Sequence, residues 1–140
     1  MSQGKYNEAL ELFNYALYFE VQVLGEGHLT VAKTKLNVGS AYQSKGDLDH
    51  AVQFYKEAEM ILKGVGDIQA GTALGIVYLN LGSCYLSRGD FEEARASYHN
   101  AVLAKSKEFG DDHIQARHYG CKAHTQQKKI LIHSRVYFFS

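Results

Sequence analysis

His118, Cys121 and His124 stand at i, i+3 and i+6, with His113 a few residues before them. Imidazole nitrogens and a thiolate are zinc ligands, and a cysteine beside a histidine base is also how a sulfur nucleophile is built. On a helix this spacing serves neither purpose. Ligands converge at i and i+4, whereas i and i+6 swing well apart, and no third group stands ready to orient the base. The set reads as a polar surface stripe, with no metal and no cofactor. Cys84 lies among Leu81, Gly82 and Tyr85 and reads as a small buried apolar residue.

Two further patterns could carry chemistry. Gly64-Val65-Gly66-Asp67-Ile68-Gln69-Ala70-Gly71 is the nearest approach to a phosphate-cradling loop. It lacks the Lys-Ser/Thr of a P-loop and follows a helical segment rather than a strand, so it reads as a linker with Asp67 as a helix N-cap. Ten tyrosines could form a stacking platform for single-stranded nucleic acid. That function needs a basic surplus to displace counterions from phosphates, and here 15 basic and 15 acidic side chains cancel. Nucleic acid and anionic membrane surfaces are therefore not the expected partners. No enzyme constellation emerges.

Composition bounds the rest. The 140 residues are 46% hydrophobic, enough for a core, and contain no proline, where average usage would give about seven. Long uninterrupted helices are favoured. Two cysteines are too few for a disulfide framework. Neither a leader-like N-terminus nor an apolar run of membrane-spanning length occurs, so the expected setting is cytoplasmic, without membrane insertion.

The elements that position all these residues come from a repeat. Gly4-Lys5-Tyr6-Asn7-Glu8-Ala9 returns as Gly46-Asp47-Leu48-Asp49-His50-Ala51 and as Gly89-Asp90-Phe91-Glu92-Glu93-Ala94, at spacings of 42 and 43 residues. Phe13 and Ala16 return as Tyr55 and Ala58, then as Tyr98 and Ala101. Upstream, Leu36-Asn37-Val38-Gly39-Ser40-Ala41-Tyr42 matches Leu79-Asn80-Leu81-Gly82-Ser83-Cys84-Tyr85. Each unit reads as a helix A, a glycine turn and a helix B, because the apolar positions after the turn follow one helical face. Asp47 and Asp90 are placed to cap helix B, with Glu93 completing a capping box. The spacing predicts helices over 5–24, 30–45, 48–64, 68–88, 91–109 and 112–128. Six of the tyrosines, Tyr6, Tyr42, Tyr55, Tyr78, Tyr85 and Tyr98, fall on packing positions. Gly39 and Gly82 are expected to admit helix B closely, while Ala51 and Ala94 receive Tyr42 and Tyr85.

This pattern resembles the tetratricopeptide repeat. Tyr78, Leu81-Gly82, Tyr85, Gly89, Phe91, Ala94, Tyr98 and Ala101 make a nearly complete copy, and the resemblance spans about residues 4 to 110. The long unit, together with Val23-Leu24-Gly25-Glu26-Gly27-His28-Leu29-Thr30-Val31-Ala32, looks like the kinesin-light-chain-like subclass, although Leu29 stands where that subclass usually has proline. The resemblance implies an all-α fold, an α-solenoid of antiparallel hairpins in a right-handed superhelix. Its units would be a partial repeat over 4–28, repeats over 29–66 and 67–110, a degenerate or capping helix over 111–128, and an irregular tail over 129–140.

The resemblance also implies a function. Such arrays bind partner proteins along the concave face of their A helices, without catalysis, as scaffolds or adaptors. Carried over by position, that groove comprises Lys33, Leu36, Asn37, Ser40, Gln43 and Ser44, then Ile76, Leu79, Asn80, Ser83, Leu86 and Ser87, and Arg117, His118, Cys121 and His124 continue it if the last helix keeps the register. Asn37 and Asn80 match the asparagine that often bonds a peptide backbone, as a group that both donates and accepts. The basic positions of the carboxylate-clamp subclass are occupied by Leu36, Ile76 and Asn80, so a weakly polar, partly apolar peptide is expected, at micromolar strength. The alternative is an assembly or regulatory subunit that meets its partners through exposed end faces. Because the first unit begins at helix B, its Leu10/Phe13/Leu17 face is expected to be bare, either through belonging to a longer array or for contact with another molecule, self-association included.

Overall fold

The computed structural model describes residues 3–109. Those residues form five α-helices and no strand: α1 (Gln3–Leu24), α2 (Leu29–Lys45), α3 (Leu48–Val65), α4 (Ile68–Arg88) and α5 (Phe91–Phe109). The first five helices expected from the spacing are all found, with ends within two residues. The helix expected over 112–128 and the tail over 129–140 lie outside the described residues. Between Ala73 and Leu74 the chain divides into two compact units.

In the first unit α1 packs on α2 and α2 on α3. The Leu10/Phe13/Leu17 face expected to be bare is not: Leu10 is buried and Phe13 and Leu17 are half-buried, and the exposed apolar side chains of α1 instead include Leu12, Tyr15, Tyr18 and Phe19. Val31, Ala32, Val38, Ala51, Tyr55, Ala58 and Leu62 are completely buried. They recur at three- and four-residue intervals because only such spacings bring side chains to one face of a helix. Withdrawing a side chain such as Leu62 from water contributes ~1.5–3 kcal/mol. Gly39 sets the interhelical distance between α2 and α3. A Cβ built there would lie 2.6 Å from Cε1 of Tyr55, so the ring fills the space that any larger residue would need. Ala51 is buried as the repeat requires, while the ring of Tyr42 stacks on His50 and Phe54 of α3, with centroids 5.0 and 5.7 Å apart.

The second unit repeats this arrangement between α4 and α5. A Cβ on Gly82 would stand 2.8 Å from two ring atoms of Tyr98, and Val77, Leu81, Cys84, Ala94 and Ala101 are buried. Tyr78, Tyr85 and Tyr98 are buried as well, so the tyrosines at these repeat positions are spent on packing.

The turns explain why each hairpin folds back where it does. Gly46 has φ +94°, and the N–H groups of Gly46 and Asp47 donate to the carbonyls of Gln43 and Tyr42. A left-handed residue satisfies the last carbonyls of α2 in this way, and glycine adopts it without a Cβ penalty. Asp47 then starts α3, its Oδ1 accepting the N–H of His50 at 3.2 Å. The same pair of backbone bonds closes α4 at Gly89 and Asp90. There, however, the Asp90 carboxylate lies 3.1 Å from Nε of Arg88, an ion pair that the sequence pattern did not indicate. Asp67 caps α4 through the N–H of Ala70 at 2.7 Å, as expected. The cap of α2 was not foreseen: His28 Nδ1 accepts the N–H of Thr30 at 3.0 Å.

Candidate protein-binding surface

Packing decides which residues of the first helix in each hairpin remain available to a partner. On α2 the faces toward α1 and α3 are occupied. Thr34 donates its hydroxyl to Glu20 of α1 at 2.9 Å. Lys35 forms an ion pair with Glu57 of α3 and lies over the ring of Phe54. The Tyr55 hydroxyl donates to Oε1 of Gln43 at 2.7 Å, so the Gln43 amide oxygen is engaged within the hairpin.

What remains is a stripe of exposed polar side chains, Lys33, Asn37, Ser40 and Ser44. Their spacings of four, three and four residues bring them within about 60° of one another around the helix. Leu36 is half-buried at the edge of this stripe. One ammonium, one amide and two hydroxyls offer donors and acceptors to an extended chain without a net electrostatic preference for a highly charged one.

The corresponding stripe on α4 is more apolar. Ile76 and Leu79 are exposed, and Asn80, Ser83 and Leu86 are half-buried. Glycine is also present here, and a Cβ on Gly75 would meet the aliphatic stem of Lys105 at 3.3 Å, so that position serves packing within the unit. Of the positions assigned to the groove, Arg117 and His118 lie outside the described residues, as do His113, Cys121 and His124.

The described residues carry little that could act as a reactive centre. Burial pushes the Cys84 thiol up to about 11, against a smaller opposing pull from Arg88, so at neutral pH it is not a thiolate. Among the described residues no group of three or more His, Cys, Asp or Glu gathers to hold a metal ion, and no helix is long and apolar enough to cross a membrane. Sequence reasoning missed Lys35, whose position beside Asn37 gives no hint that Glu57 and Phe54 take it up.

Comparison with known proteins agrees with this construction. Tetratricopeptide repeat models match residues 1–63 and 76–115. Among solved structures, BtubC (BKLC) from P. vanneervenii superposes with a TM-score of 0.66 at 19% identity, over 94% of this chain and 59% of its own. At that identity the likeness shows the fold, an all-α solenoid of helical hairpins. The chain spans about three fifths of that protein's length. No curated protein matches the sequence. With the glycine–aromatic seam in both hairpins and a family model over each, the chain belongs to the tetratricopeptide repeat family, whose members generally mediate contacts between proteins.

Proposed function

We propose that the chain is a non-catalytic scaffold or adaptor that binds a peptide segment of a partner protein on the exposed stripe of α2, with the exposed stripe of α4 a second surface of the same kind. The observation that carries this reading is the division of labour on α2. Thr34, Lys35 and Gln43 make bonds to neighbouring helices, while Lys33, Asn37, Ser40 and Ser44 stay exposed along one line. A backbone strung along such a line can pair with an amide that donates and accepts. The exposed Ile76 and Leu79 of α4 favour apolar side chains in what binds there, so the ligand class is a weakly polar, partly apolar segment. Fold alone leaves the choice of partner open. A cytoplasmic setting fits the unpaired, buried Cys84.

The test is quantitative capture on the immobilised chain, comparing wild type with an Asn37→Ala/Asn80→Ala double variant of unchanged melting temperature. Partners retained by the wild type should fall at least fivefold on the variant. Equal recovery on both overturns the reading.

A further inference from the structure

The first helix of each hairpin ends on the same run. Ser44-Lys45-Gly46-Asp47 closes α2, and Ser87-Arg88-Gly89-Asp90 closes α4. Both serines are exposed, in the last turn of their helices. Of all the serines and threonines in the chain, these two alone have a carboxylate three residues further on, and each has a second one five residues on, Asp49 and Glu92. Asp49 and Glu92 are exposed, with Asp47 and Asp90 half-buried beside them. Ser40 and Ser83 provide the contrast. They lie one turn earlier on the same helices, with Gln43 and Leu86 three residues on. Beyond Ser44 and Ser87 the chain leaves its helix through an exposed glycine of positive φ, and a helix end opens at lower cost than a helix interior.

From this we infer that Ser44 and Ser87 are phosphorylation sites for a serine/threonine kinase that selects its acceptor by acidic residues on the C-terminal side. Kinases discriminate substrates by charge pattern, and a basic substrate groove would pair with Asp47 and Asp49, or with Asp90 and Glu92. ATP is the donor. The serine Oγ bonds to the γ-phosphorus as the bond to the β,γ-bridging oxygen breaks, ADP leaves, and the hydroxyl proton passes to the base of the kinase.

The product carries about two negative charges at the C-terminal end of a helix, where the macrodipole is itself negative and Asp47 or Asp90 adds a like charge. The adjoining cations are already engaged, Lys45 with Asn7 at 3.2 Å and Arg88 with Asp90 at 3.1 Å. Phosphorylation therefore loosens the last turn instead of clamping it. Ser44 also ends the exposed stripe of α2. Resting on the peptide-binding reading above, the modification turns a weakly polar end of that stripe into a dianionic one and releases the partner.

The purified full chain is incubated with casein kinase II and magnesium ATP under native conditions, and phosphate is located by tandem mass spectrometry. Incorporation at Ser44 and Ser87 is expected, with none at Ser40 or Ser83. Asp47→Asn, which keeps a capping side chain, should slow incorporation at Ser44 at least fivefold and leave Ser87 unchanged, and Asp90→Asn should do the reverse. The phosphorylated chain should melt below the unmodified one. No incorporation, incorporation only after denaturation, equal labelling of Ser40, or rates that ignore both substitutions overturn the proposal, and a raised melting temperature overturns the loosening. These readouts need no partner, so their failure is separate from a failure of the peptide-binding reading. A partner identified by the Asn37/Asn80 comparison should be retained at least fivefold less by the phosphorylated chain, and equal retention overturns the release.

Discussion

The ring of Tyr55 stands where a side chain on Gly39 would have to go, with Cε1 2.6 Å and Cδ1 2.8 Å from the place of a Cβ. Tyr55 is completely buried and its hydroxyl is held by Gln43, so the ring has little freedom to retreat. Gly39→Ala should destabilise by ~1–3 kcal/mol through overpacking, and Gly82→Leu by at least as much. Gly64 supplies the control. It lies inside α3 with nothing within 4 Å of a Cβ, and Gly64→Ala should stabilise by ~0.5–1 kcal/mol, as helix propensity dictates. Denaturant melts of the three variants check both signs, and a neutral Gly39→Ala would show that the seam is not close-packed.

Asp47 links the glycine turn to α3, and its acidity follows from that position. The N–H of His50 and the His50 ring beside it hold the carboxyl below the usual carboxylate range, against a smaller desolvation effect. A carboxyl that is more acidic when folded contributes stability above its unfolded pKa, near 4, and that contribution is lost as pH falls through its folded value. Asp47→Asn should keep the cap yet lose this part of the pH dependence. Asp47→Ala should cost ~0.5–2 kcal/mol at neutral pH. Thermal melts from pH 7 down to pH 3 distinguish the two, and parallel profiles for wild type and Asp47→Asn would refute the assignment.

Much of the fold is legible in the sequence because the residues that enforce it have few substitutes. Gly46 and Gly89 supply a positive φ, Gly39 and Gly82 supply absent side chains, and both requirements leave glycine at fixed intervals. The stripes proposed to bind a partner obey no such demand. Lys33 and Lys35 look alike in the sequence, and only the approach of Glu57 and Phe54 separates them. Ring stacking of Tyr42 on His50 was equally hidden, since an exposed histidine in the first turn of a helix carries no packing signature. At Asp90 the structure adds a contact that the spacing did not indicate, since the nearby Arg88 pairs with its carboxylate.

His28 is an unusual helix cap, its Nδ1 accepting the Thr30 N–H at 3.0 Å in the place usually taken by Ser, Thr, Asp or Asn. His28→Ala should therefore lower stability by about 0.5–1 kcal/mol, while His28→Asp should keep α2 capped. Melting temperatures of the two variants report this, and an unchanged melt for His28→Ala would mean that the Nδ1 contact contributes nothing.

Cys84 is completely buried on α4, and its thiol is pushed up from about 9 to about 11, chiefly by burial. Only the thiolate attacks alkylating and disulfide reagents at a useful rate. Native protein at pH 8 should therefore leave Cys84 unmodified by iodoacetamide while protein in denaturant is modified rapidly, as read by mass spectrometry of the peptide containing it. The same shift has a stability consequence. The folded state holds the thiol proton more tightly than the unfolded chain does, so the contribution is fully present below pH 9 and is lost as pH rises toward 11. Burial also raises the Tyr98 phenol, which adds to the loss in alkali. Cys84→Ala should flatten the alkaline arm of the stability profile between pH 9 and pH 11 without removing it, because Tyr98 remains. Rapid alkylation of the native protein, or an alkaline arm unchanged in Cys84→Ala, would place the thiol in contact with solvent.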